Sequence, residues 1–199
     1  MATRNLRPLM LAAIPLMTLD ALSQPMLLLA YQLSPEFYAR HALSLSPGYP
    51  VVDLTMISLS LLSTIAFCWW VIRAGGNLRA LGHEDLEFTP ASRIWWFFVP
   101  FACFYKPYQG MRELWNASHG NSDYADTSPF VALWWAIWLA CGIFGVILLA
   151  FARDTESTVA TWLSNAMAIA LAASAIRLLW SVTTAQEQQR RAVLAEVFV

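Results

Sequence analysis

A chain of 199 residues that is 58% hydrophobic and only 13% charged falls well short of the roughly 25% charged residues usual in soluble domains. Ten tryptophans and a formal net charge of −1 suit a protein solvated by lipid and leave no basic balance for a polyanion. No basic run is interleaved with exposed aromatics, so nucleic acid is excluded as a partner class.

The sequence predicts one all-α membrane domain over residues 1–199, with four spans at about 8–33, 51–72, 129–152 and 158–184. Each has the 20 or so residues that a hydrocarbon core of about 30 Å requires. The first carries Pro15, Asp20, Gln24 and Pro25, which predict a kinked or partly broken helix that leans on its neighbours. A cleaved secretory signal is the rival reading, since "MATRNLR" is a basic leader and "ALS" precedes Gln24. Apolar character resumes at once in "MLLLAY", which favours an uncleaved span.

Between the second and third spans lies a central segment, residues 73–128. Its start, "RAGGNLRALG", has glycines suited to a helix terminus, and "HEDLEFTPAS" reads as a polar turn. Next comes an apolar stretch, Ile94 to Tyr105, which as a helix would rise only about 18 Å at about 1.5 Å per residue. Too short to cross, it is predicted to be re-entrant or interfacial, with Trp95 and Trp96 at headgroup level. Pro100 should bend it, and Lys106 with Pro107 should end it. From Pro107 a short amphipathic helix is expected along the inner membrane surface. Tyr108, Met111, Leu114 and Trp115 mark its apolar side, and Gln109, Arg112, Glu113 and Asn116 the other. "SHGNSDYADTSP" reads as solvated linker, and the "NAS" sequon at Asn116 is empty on a cytoplasmic segment.

Positive charge sets the orientation, because arginine and lysine near span ends are retained in the cytoplasm. With both termini inside, Arg4, Arg7, Arg73, Arg79, Arg93, Lys106, Arg112, Arg190 and Arg191 are cytoplasmic. Only Arg40 and Arg153 lie outside, and Arg177 falls within a span. The expected location is the inner (cytoplasmic) membrane of a bacterium.

Four stretches resemble a bacterial membrane family known as domain of unknown function 4328. They are "NLRALG", "FTPASRIWWFFVPFACFYKPYQGMRELWNAS", "PFVALWWAIWL" and "TTAQEQQRR", running from about Gly75 to Arg191. The resemblance implies a small integral membrane protein with several spans and brings no activity, substrate or catalytic residue. The chain departs from the family pattern at Cys103 and Lys106, where asparagine and arginine are expected.

A charged side chain within a span costs about 3 kcal/mol on insertion scales, so Asp20, Asp53 and Arg177 call for explanation. Asp53 reads as an interfacial cap. Arg177 lies near enough to the cytoplasmic end to extend its head outward. If the first and fourth helices are neighbours, Asp20 can pair with it as structural glue. The fourth span carries two rows of small residues, Ala160, Ser164, Ala168, Ala172 and Ala166, Ala170, Ser174, which predict a central helix. In the second span Thr55, Ser58, Ser60, Ser63 and Thr64 either line a hydrated path or, more commonly, bond their own backbone. His83 before two carboxylates is a weak metal signal with no partner at i+3 or i+4. Cys68, Cys103 and Cys141 lie in apolar runs without ligand spacing and read as reduced packing residues.

No phosphate loop, GxSxG elbow or HExxH motif occurs, and no paired catalytic residues are seen, so the expectation is a non-enzymatic protein without cofactor or metal. Membrane lipid is the expected partner, with a protein or a second copy of the chain as the other candidates. The expected contact surface is Lys106, Tyr108, Gln109, Arg112, Glu113 and Trp115, against a solvated ion-pair surface as the plainer reading. A small transporter or channel is the alternative, with Asp20 its one deep acid.

Overall fold

The computed structural model describes residues 3–36, 50–151 and 158–197, and among them the architecture is all-helical. Its elements are α1 (Arg7–Leu33), α2 (Pro50–Ala80), a single turn α3 (Ser92–Trp95), α4 (Lys106–Ser118), α5 (Pro129–Phe151) and α6 (Thr158–Val197). Four of these, α1, α2, α5 and α6, are long and apolar enough to cross a membrane. Residues 81–128 cap one end of the bundle, called the base here, where α1 and α5 begin and α2 and α6 end. Arg40 and Arg153, the two charges assigned to the opposite side, lie outside the described residues.

Helix α1 runs without interruption from Arg7 to Leu33 through Pro15 and Pro25, so the expected break does not interrupt it. Two helix ends also differ from expectation. α2 continues through Gly75 and Gly76 to Ala80, and the turn comes at Gly82, whose φ is +94°. Gly75 is needed for closeness instead of termination: a Cβ there would lie 2.7 Å from Arg93 Nη1 and 3.3 Å from Pro90 Cα. α6 continues past Thr184 to Val197; Gln186 and Gln189 tie the turns just beyond Thr184 to α2 and α4, and residues 191–195 are exposed. This helix touches all three other long helices, as the small-residue rows predict.

The core lies in the base half. Leu6, Met10, Ala13 and Met17 of the α1 region meet Trp70, Val71, Ala74 and Leu78 of α2, and Leu178, Leu179 and Val182 of α6. These positions recur at spacings of three and four, the buried face of each helix. Farther from the base the apolar side chains Leu54, Ile57, Leu61, Ile143 and Val146 face outward, as lipid-facing positions do.

The stretch Ile94 to Tyr105 folds as a bent wedge. A 3-10 turn at Trp96–Phe98 leads into extended Val99, and a second follows at Ala102–Phe104. Between them Pro100 and Phe101 form a tight turn, with Phe101 at φ 63° and the Ala102 N–H donating to the Pro100 carbonyl at 2.7 Å. Trp135 of α5 holds the wedge by donating its indole N–H to the Phe104 carbonyl at 3.1 Å. Phe97 packs edge-on against Trp135 and Trp138, which are themselves stacked 4.7 Å apart.

Candidate functional site

Two polar constellations are built into this frame, one at the base and one halfway along the helices. At the base, Arg93 and Glu113 form a fully enclosed ion pair, Nη2 to Oε1 at 2.5 Å. Arg93 Nε also donates to the Gly110 carbonyl at 3.2 Å. Glu113 accepts the backbone N–H groups of Glu87 at 2.6 Å and Phe88 at 3.2 Å. Burial pushes the Arg93 guanidinium below its ordinary pKa, and the charge of Glu113 opposes that shift. Gly110 lets the pair sit this close, since a Cβ there would lie 3.2 Å from Arg93 Cγ. Beside it Lys106 pairs with Glu87 at 2.8 Å and faces the Phe88 ring.

A second set of bonds ties four elements together. Asn77 of α2 exchanges hydrogen bonds with the backbone of Arg4 and donates to Gln186 of α6. Gln186 in turn donates to the Ala74 carbonyl and to Ser118 Oγ at the end of α4. Asn116 donates to the carbonyls of Tyr124 and Asp126, so residues 119–128 are pinned to α4 instead of forming a free linker.

Above the wedge lies a cavity of about 560 Å³, inside the range of about 300–1,000 Å³ typical of small-molecule sites. Each wall is one helix face. Met17, Asp20, Ala21 and Gln24 come from α1, and Ser60, Ser63, Thr64, Phe67 and Cys68 from α2. Trp134 and Trp138 come from α5, and Asn165, Ala168, Leu171, Ala172 and Ala175 from α6; Ile94, Phe97 and Phe98 of the wedge form the floor. Asp20 lies thirteen residues into α1, about 20 Å from its start at about 1.5 Å per residue, which is well inside a hydrocarbon core of about 30 Å. One of its oxygens accepts the Ser60 hydroxyl at 2.6 Å. The amide nitrogen of buried Asn165 has no hydrogen-bond partner. Pro25 lacks the N–H that would close on the Ala21 carbonyl.

The sequence-predicted residues divide between these places. Glu113 and Asn116 are buried, which corrects their assignment to a solvated face, because α4 is wedged between protein layers. Gln109 and Arg112 are half-buried; the Arg112 guanidinium lies 5.5 Å from the Tyr108 ring centre. Trp115, also half-buried, stacks on His119 and meets Phe130, and Lys106 makes the pair with Glu87. Asp20 and Arg177 are not brought together. α1 and α6 are neighbours, but Arg177 lies low on the bundle, 4.7 Å above the Phe130 ring, while Asp20 bonds Ser60 higher up. Asp53 sits in the first turn of α2. His83 faces the Tyr124 hydroxyl at 2.7 Å, and no group of three or more metal-ligating side chains occurs among the described residues. The three cysteines are free and half-buried.

Asn77, Arg93, Asn165 and Gln186 did not stand out in the sequence as site residues. For Asn165 the available signal is a lone amide in an apolar span. Asp20 and Gln24, four apart, share a helix face with Met17 and Ala21.

A family model described as "Domain of unknown function (DUF4328)" matches residues 48–186, well over half of the chain. No curated protein and no solved structure matches.

Proposed function

The chain belongs to the DUF4328 family, whose description assigns no activity, and from that membership and the geometry above we propose a non-enzymatic protein that holds an amphiphilic lipid in its intramembrane cavity. The observation that carries this reading is a ligand-sized space at mid-helix depth with the amide donor of Asn165 unpartnered on its wall. A buried polar group without a partner loses about 1–3 kcal/mol, which a ligand acceptor restores. In this reading the base is a fixed cap and the wedge is the cavity floor. The protein resides in the bacterial inner membrane with both termini cytoplasmic, a placement supported by the arginines and Lys106 gathered at the base.

The test is the lipid extract of full-length protein purified in mild detergent. One amphiphile is expected in near-stoichiometric amount, and it should vanish from the Ala168→Phe/Ala172→Phe double variant, which fills the cavity from α6. An extract that is the same for both proteins contradicts the reading. Orientation is tested separately with Asp123→Cys: labelling by an impermeant maleimide is expected only after cells are opened.

Transport is the second reading, favoured by Asp20 on the cavity wall between Pro15 and Pro25 of α1. Proton or solute flux in vesicles that Asp20→Asn abolishes would select it over simple holding.

A further inference from the structure

The polar groups on the cavity wall discriminate among amphiphiles, a point that rests on the reading of the cavity as a lipid site. Among the described residues, Asp20 is the only acidic side chain on the wall, and no lysine, arginine or histidine lines it. Arg177, the cation nearest in sequence to a wall residue of α6, is turned onto Phe130. A phosphate or carboxylate head would therefore enter a low-dielectric space that already holds a carboxylate and has no countercharge, an arrangement that repels it. A head with N–H or O–H donors meets the opposite field. Asp20 has a second oxygen beyond the one that Ser60 engages, and Pro25 leaves the Ala21 carbonyl without its helical donor. The same head must also offer an acceptor or sit beside one, because Asn165 presents an unpartnered amide N–H.

We propose that the cavity selects a single-chain amphiphile whose small head is cationic or hydroxyl-bearing, a long-chain amine or amino alcohol, and rejects anionic lipids. The cavity volume suits one chain with a compact head better than a two-chain phospholipid. Trp134, Trp138 and Phe97 supply the apolar wall for the chain, while Asp20 and Asn165 hold the head from α1 and α6.

Native mass spectrometry of the delipidated full-length protein tests this with four probes of equal chain length: dodecylamine, dodecanol, dodecanoate and 2-aminododecan-1-ol. Dodecylamine is expected to bind at least about ten-fold more tightly than dodecanoate, as one charge-assisted hydrogen bond implies. Asp20→Asn should erase that ratio, and Asp20→Glu should keep it. Asn165→Leu should weaken the amino alcohol 2-aminododecan-1-ol more than the amine. If dodecanoate binds as tightly as dodecylamine, or if the ratio survives Asp20→Asn, the head-group assignment is overturned while the cavity reading stands. If no probe binds the folded protein, the cavity reading itself falls.

Discussion

At the base, Glu113 collects three hydrogen bonds and Arg93 contributes two donors within one enclosed cluster, whereas about 20 Å up α1 Asp20 receives one bond from Ser60 and the Asn165 amide donates none. Asp20 is half-buried and Ser60 exposed on the bundle, but both regions place polar groups where water is scarce and each unsatisfied one is costly. The base surrounds its buried carboxylate with protein donors, though Arg93 Nη1 there has no hydrogen-bond partner among the described residues, and Gly75 and Gly110 let backbone close onto the Arg93 side chain. The contrast separates a region built to fix the fold from one built around open space. It also explains why polarity alone is a poor guide to function in a membrane protein: the densest polar cluster is the structural one.

The largest effect is expected at the ion pair. Glu113→Ala leaves Arg93 buried without its counter-ion and should lower stability by about 3–5 kcal/mol, read as loss of folded protein in thermal unfolding in detergent. The double variant Arg93→Met/Glu113→Leu should be more stable than either single one, because no charge is left stranded. Next comes Gly75→Ala, which drives a Cβ against Arg93 Nη1 and the Pro90 backbone; about 1–3 kcal/mol of overpacking should appear in the same assay. Trp135→Phe keeps the stacked ring and removes one hydrogen bond to Phe104, for about 1 kcal/mol, and should loosen the wedge without unfolding the bundle. Smallest of all is Asn165→Leu, which removes a donor that has no partner; stability should stay level or rise slightly. The matched change at the base, Asn77→Leu, should lower it, since Asn77 makes bonds to Arg4 and Gln186.

Much of this was legible in the sequence, and the exceptions have physical causes. The four long helices announce themselves because a run of some 20 apolar residues has few alternatives, and the bend of the wedge follows from Pro100 and from Pro107 after Lys106. The extension of α2 was hidden because paired glycines weaken a helix locally, while contact with Arg93 and Pro90, which no local pattern encodes, decides the matter. Periodicity placed Glu113 and Asn116 correctly on one side of α4, but it cannot distinguish water from a buried arginine or the carbonyls of Tyr124 and Asp126. Asp20 and Arg177 do not meet although α1 and α6 pack together, because Arg177 stands level with the start of α5, a difference in height that helix adjacency alone does not encode. The stretches that carry the family resemblance contain Asn77, Arg93, Glu113 and Gln186, which build the base.

The most direct test of the central claim is a crystal structure of the full chain grown from a lipidic phase containing dodecylamine. Density is expected in the cavity, with the amine head within hydrogen-bond distance of Asp20 and its chain against Trp134 and Trp138. A cavity closed by its own side chains, with the Asn165 amide bonded to a neighbouring helix, would contradict it.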